Sequence, residues 1–233
     1  MKGRIAFVCA LFCAFSAFSL DVTTDAMLGG FYNYSNVFTG KAEYWNSNGD
    51  TVDGDYNAVF RAAGASLGFD LFFNPYPLGI YFRTGIMSVF GVERTAGGVT
   101  DKVEKTEIGF NMFVDVGAVY AFNFGKFSLN LAPAFSILWV QSENMENLYS
   151  RATTDSLFGL GLTADVYVKY RLKYFVVAAG MAASFYPMAL VSSADTKISY
   201  STNIRDTKAY NLRPYVAIGL SFRERSSIGA GGD

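Results

Sequence analysis

Histidine is absent from all 233 residues, and the only cysteines, Cys9 and Cys13, fall in the first nineteen positions. The first absence removes the commonest metal ligand and the commonest general base. The second leaves the chain beyond residue 19 with no disulfide framework. Net charge is also small, with 19 Lys and Arg against 20 Asp and Glu, which excludes the basic footprint of a nucleic-acid binder. Prolines number five, and long apolar runs are scarce. "FVVAAGMAASFYPMALV", Phe175 to Val191, comes closest to a spanning helix. It is near the lower length limit and Tyr186-Pro187 breaks it. Its neighbours have strand periodicity, so a strand is expected there as well.

What the chain has in quantity is apolar and aromatic surface, 51% and 17% of residues, together with 23 glycines. Some of it is an export signal. "MKGRIAFVCALFCAFSAFS" places Lys2 and Arg4 before an apolar run and ends on small residues at Ala17 and Ser19, the three-part pattern of a secretory signal peptide with cleavage expected near Ser19. Phe12 ahead of Cys13 is a poor context for lipidation. Loss of Lys2 and Arg4 with the signal takes the formal charge from −1 to −3. The expected organisation is a signal peptide over 1–19, one barrel domain over 20–222 and a short tail over 223–233.

The rest alternates. In "IGFNMFVDVGAVYAF", one parity carries Ile108, Phe110, Met112, Val114, Val116, Ala118, Tyr120 and Phe122. The other carries Gly109, Asn111, Phe113, Asp115, Gly117 and Val119. A period of two is a strand. The second parity is small and polar where a soluble sandwich would show Lys, Glu and Thr, which suits a narrow polar lumen with the bulky face turned to lipid.

Eight such segments follow one another, at about 25–34, 58–73, 80–90, 108–122, 127–140, 157–170, 174–186 and 210–222. The parity of the seventh is the least distinct because both its faces are small. Pro133 lies within the fifth, an awkward residue for a central strand. "NPYP", "NFGK" and "RLK" make short turns, whereas 35–57, 91–106, 141–156 and 187–209 are expected to be long polar loops. Short turns at one end and long loops at the other predict an all-β, eight-stranded antiparallel up-and-down transmembrane barrel. Aromatics gather at both ends. Phe73, Tyr76, Phe82, Phe122, Phe124, Phe127, Tyr170, Phe175 and Phe222 are near the short turns; Phe60, Phe90, Phe110, Trp139, Phe158, Phe185 and Tyr210 are near the loops. Two girdles match two membrane interfaces.

The architecture, and the terminal "YVAIGLSF" from Tyr215 to Phe222, resemble the small eight-stranded bacterial outer-membrane proteins of the OmpA-membrane-domain, OmpX and OmpW type. The tail "RERSSIGAGGD" extends past the point where that family commonly stops. The resemblance implies residence in the cell outer membrane, contact with outer-membrane lipids, and insertion by the assembly machinery through a C-terminal signal that includes Tyr215 and Phe222. It also implies one of two functions. OmpW-like proteins suggest a narrow, porin-like channel for small solutes; OmpX- and OmpA-like proteins suggest a non-conducting, surface-exposed barrel whose loops meet ligands or a host.

The inward parity holds Asp70, Arg83, Asp115, Asp165, Lys169 and Arg213, three acids and three bases. Asp70 and Arg83 flank "NPYP" at similar distances and are expected to face each other across that hairpin. An eight-stranded barrel has room for side chains or one small ligand, so the balance favours a salt-bridged plug over a solute path. No histidine can activate Ser66, Ser128 or Ser221, "GLGLTAD" and "TAGGVTDK" lack a complete phosphate-binding motif, and "NYS" at 33–35 is a chance glycosylation triplet. No enzyme activity, cofactor, metal or nucleic-acid partner is expected. The loop sequences "KAEYWNSNGDTVDGDYN" and "SSADTKISYSTNIRDTKAYN" mix aromatic and polar residues, as external contact surfaces do.

Overall fold

Alternation becomes geometry in the computed structural model, which describes residues 21–45, 51–96, 99–103, 111–144, 153–194, 199–201 and 207–224. The strands are β1 (Asp21–Trp45), β2 (Thr51–Asn74), β3 (Leu78–Ala96), β4 (Val99–Val103), β5 (Asn111–Phe124), β6 (Phe127–Asn144), β7 (Thr153–Leu172), β8 (Phe175–Ala194), β9 (Ser199–Ser201) and β10 (Thr207–Glu224). Eight of them pair antiparallel with their chain neighbours in the order β10-β1-β2-β3-β5-β6-β7-β8. β10 also pairs with β8, through Ala217↔Ala178 and Tyr215↔Gly180, and so closes the ring. β4 and β9 are short additions that pair with β3 and β8. The chain is an eight-stranded up-and-down barrel, as the periodicity predicts. The helix candidate at Phe175 to Val191 lies within β8. The signal sequence, the glycine pair at 97–98, Ile108 to Phe110 and the tail beyond 224 lie outside the described residues.

The bulky parity is the exterior. Leu28, Leu67, Ile86, Phe135, Leu162, Val216 and Ile218 are all about half exposed or more, in every sector of the ring. A continuous apolar outer face of this extent needs hydrocarbon around it. From the Trp139 level to the Leu129 level, strands rising about 3.3 Å per residue and tilted about 40° span about 25 Å, the height of a barrel's lipid band. Aromatics mark its edges. Phe38, Phe185 and Tyr210 stack in a row, with centroids 5.6 and 5.0 Å apart, and Trp139 meets Phe158 at 6.3 Å. At the other edge Phe127 packs on Tyr170 at 4.6 Å and Tyr120 on Phe122 at 4.8 Å. Phe60 does not belong to the girdle: it has the inward parity of β2 and is fully buried. Phe110 lies outside the described residues.

The long polar loops are shorter than expected, because the strands continue into them. β1 and β2 approach one another at Trp45↔Thr51, β6 and β7 at Asn144↔Thr153, and β3 turns back through β4. Three irregularities near this rim adjust the strands. Arg61↔Gly91 is followed by Ala62↔Val89, which leaves Phe90 as an extra residue. Leu160↔Met188 and Leu162↔Phe185 enclose Pro187, and β1 shifts register on β2 between Thr39 and Ala42. In β3 and β8 the added residue reverses parity beyond it, so Val89 and Val92, and likewise Tyr186 and Ala189, all point inward. Pro133 is accommodated without a shift, the β5–β6 register being the same at Gly117↔Ala134 and Tyr120↔Leu131 on either side of it. At the opposite end the turns are tight. Gly125, at φ 66°, joins β5 to β6, and Lys173, at φ 47°, joins β7 to β8. Positive φ at the first central residue suits a two-residue hairpin. Arg171 and Leu172, expected in that turn, are the last residues of β7.

Candidate functional site

Small inward residues create the space that the lumen then fills. A Cβ on Gly159 would stand 2.9 Å from the Tyr186 ring, and one on Gly85 within 2.9 Å of Phe31 and Phe113. Glycine at these positions lets large rings reach the barrel axis. All six charged residues expected inside are buried there. They form three layers, and Tyr167 joins the lowest to the middle one.

In the lowest layer, near the short turns, Lys169 donates to Asp25 at 2.6 Å and also pairs with Asp70. Arg171 reaches the same Asp25 at 2.8 Å, and Ser221 donates to its other oxygen at 2.6 Å. Tyr167 donates to Asp70 at 2.7 Å. In the middle layer Arg83 pairs with Asp165 at 2.8 Å, and the hydroxyls of Tyr81 and Tyr215 donate to that carboxylate at 2.7 and 3.0 Å. The Arg83 guanidinium lies 3.8 Å from the Tyr215 ring centroid and 5.4 Å from those of Tyr81 and Tyr167, a cation held against aromatic faces. In the upper layer Arg213 pairs with Asp115 at 2.6 Å and stands over Phe113 at 3.8 Å. Ser136 donates to Asp115 at 2.5 Å and meets Tyr186 at 2.9 Å, while Thr163 meets Ser184 at 2.6 Å.

The facing of Asp70 and Arg83 is not observed. Asp70 stands opposite Tyr81 and Arg83 opposite Gly68, because the hairpin folds symmetrically about Pro75 and Tyr76 and the two residues are unequally far from that point. Their true partners are Lys169 and Asp165, both on β7 across the lumen. Two members of the network escaped the sequence reading. Asp25 has the inward parity, but only its burial beside Lys169 reveals its part, and Arg171 falls in the "RLK" stretch that the sequence marks as a turn. With them, four carboxylates meet four cations. The serines considered as nucleophiles serve this interior too: Ser128 accepts from Asn130 at 3.1 Å and Ser221 holds Asp25. Of the terminal-strand aromatics, Tyr215 points into the lumen and Phe222 outward.

Above the charged layers the lumen is mostly apolar, although Thr39, Arg94, Ser142 and Thr207 are buried there as well. Val37, Phe60, Leu138, Val140, Leu157, Val191 and Ala209 are fully buried in segments that include the expected loops. Asn33, Ser35 and Asn211 bridge the two zones, with Asn211 donating to Asn33 at 2.5 Å and to Ser35 at 2.8 Å. The space left beside Ser66, Arg83, Asp115 and Arg213 is about 10 Å³, room for about one water molecule. A second cavity, of about 430 Å³, lies at the short-turn mouth among Phe72, Asn74, Tyr76, Arg171 and Tyr174. The arrangement can carry structural load and bind at its ends; among the described residues the space beside Arg83 and Arg213 is too small for a solute.

No family model and no curated protein matches the chain. Several solved structures resemble it in outline. Ail, the attachment invasion locus protein of Yersinia pestis, is 13% identical, with a TM-score of 0.42 over 87% of this chain and 99% of that one. A major outer membrane protein from Thermus thermophilus is 11% identical, with a TM-score of 0.45 over 83% of this chain and 99% of that one. Neisserial surface protein A is 14% identical, with a TM-score of 0.38 over 81% and 96%.

Proposed function

We propose that the chain is a bacterial outer-membrane barrel that does not conduct, in which the lumen is a structural core and contacts with other molecules are made at the long-loop end. The signal sequence exports it, the assembly machinery inserts it from its C-terminal strand, and the short turns face the periplasm. The observation that carries the reading is the filled interior. Four buried carboxylates each have a cationic partner, a mostly apolar zone lies above them, and the void between Arg83 and Arg213 is about 10 Å³. A hydrated ion passing this point would have to part charge pairs in a low-dielectric setting, which costs several kcal/mol per uncompensated charge, about 3–5 for a buried pair.

The channel reading requires that interior to rearrange, since among the described residues the space beside Arg83 and Arg213 is only about 10 Å³. Recording from purified, refolded protein in planar bilayers distinguishes the two. The expected result is a silent membrane apart from small, brief events. A steady ohmic conductance from monomeric protein would replace this proposal with the channel. Fractionation supplies the location, with the mature chain expected in the detergent-extracted outer membrane.

A further inference from the structure

The cavity of about 430 Å³ at the short-turn mouth is lined by three cations, Arg171, Lys173 and Arg223, and by no carboxylate. Its apolar walls are Phe72, Tyr76 and Tyr174. The carboxylates that hold two of the cations stand behind the lining: Asp25 takes Arg171 at 2.8 Å, and Asp21 takes Arg223 at 2.6 Å. Lys173 has no carboxylate partner among the described residues; its ammonium lies 4.8 Å from the Tyr174 ring centroid. The Arg171 Nε is buried and without a hydrogen-bond acceptor. By position, this end of the barrel carries Lys126, Lys169, Arg171, Lys173 and Arg223 against Asp21, Asp25, Asp70 and Glu224, five cations to four carboxylates, and Lys173 borders the cavity.

We propose that this mouth is a binding site for a small soluble organic anion, one carboxylate or phosphate group attached to a flat apolar part. Lys173 meets the oxyanion as a compact, mobile charge, with the partly exposed Arg171 guanidinium, which also lines the cavity, beside it. The flat part lies against Tyr76, Tyr174 and Phe72, where ring faces give area at little entropic cost. The volume suits a ligand of modest size. In the orientation proposed above the site opens to the periplasm, although binding itself does not depend on that orientation or on a closed lumen.

Titration calorimetry on the refolded barrel in uncharged maltoside micelles, at low salt, tests the site with phenyl phosphate as the probe. The expected result is one phenyl phosphate per barrel, with phenol and inorganic phosphate each binding at least about tenfold more weakly. Lys173→Gln is expected to weaken binding about fivefold, the scale of one solvent-exposed charge pair, and Lys173→Arg to retain most of it. Asn123→Trp, an exposed substitution at the cavity wall that leaves charge unchanged, is expected to abolish it. Heat-modifiable gel migration verifies that each variant is folded. No binding of phenyl phosphate, equal binding of inorganic phosphate, or unchanged affinity in both Lys173→Gln and Asn123→Trp would overturn the proposal.

Discussion

Lys169 holds two carboxylates at once, Asp25 and Asp70, in a site from which water is excluded. Replacement by Met keeps most of the side chain's volume and removes its charge. Asp25 then retains Arg171, whereas Asp70 retains only the Tyr167 hydroxyl. Lys169→Met is therefore expected to cost about 3–5 kcal/mol, the range for stranding a buried partner. Arg171→Met is expected to cost about 1 kcal/mol or less, because that side chain is partly solvated and Asp25 keeps Lys169 and the Ser221 hydroxyl as partners. Urea titration of the refolded protein in lipid vesicles measures both; similar losses would mean that water reaches Lys169. At this scale the sequence revealed which side chains face inward, because parity alone decides that. It did not reveal their partners. Arg83 with Asp165, Lys169 with Asp25 and Arg213 with Asp115 join strands that are not neighbours in the sheet, and no hairpin register specifies a distance across the lumen.

Each strand carries its own inside and outside, and this was the most legible feature of the chain. Met112, Val114 and Val116 on β5 alternate with Asn111, Phe113 and Asp115, and the structure turns them as the alternation requires. Val116, at mid-height and paired with Phe82 and Phe135, is exposed to lipid. Val116→Arg is expected to lose about 2–4 kcal/mol of stability in bilayers, while Ser88→Arg, outward but at the Phe90 edge, should lose about 0–1. Equal losses in the same titration would remove the membrane from the explanation. What the strands concealed was their length. Beyond the girdle there is no lipid, so the outer face becomes polar, and the expected loops hid inward residues such as Val37, Val92, Val191 and Ala209. Phe90 and Pro187 add to the difficulty, since the irregularity at each reverses the parity beyond it.

Closure of β10 on both β1 and β8 removes every sheet edge from the ring, which lets a strand-built chain span hydrocarbon without unpaired backbone groups. Hydrophobic burial against its own core cannot supply all the stability of such a molecule, because its most apolar surface faces outward. The interior must instead be held by polar contacts in which the charges of the three layers have their partners, with a mostly apolar zone above. The central claim is that this interior is closed to water, and a double-mutant cycle on Arg83 and Asp165 tests it most directly. Arg83→Met, Asp165→Asn and the double variant would be refolded into vesicles and unfolded in urea. The expected result is a loss of about 3 kcal/mol or more for each single change, and a double variant at least about 1 kcal/mol more stable than the sum of the two losses predicts. Single losses near zero, with no coupling between them, would show a hydrated lumen and contradict the account.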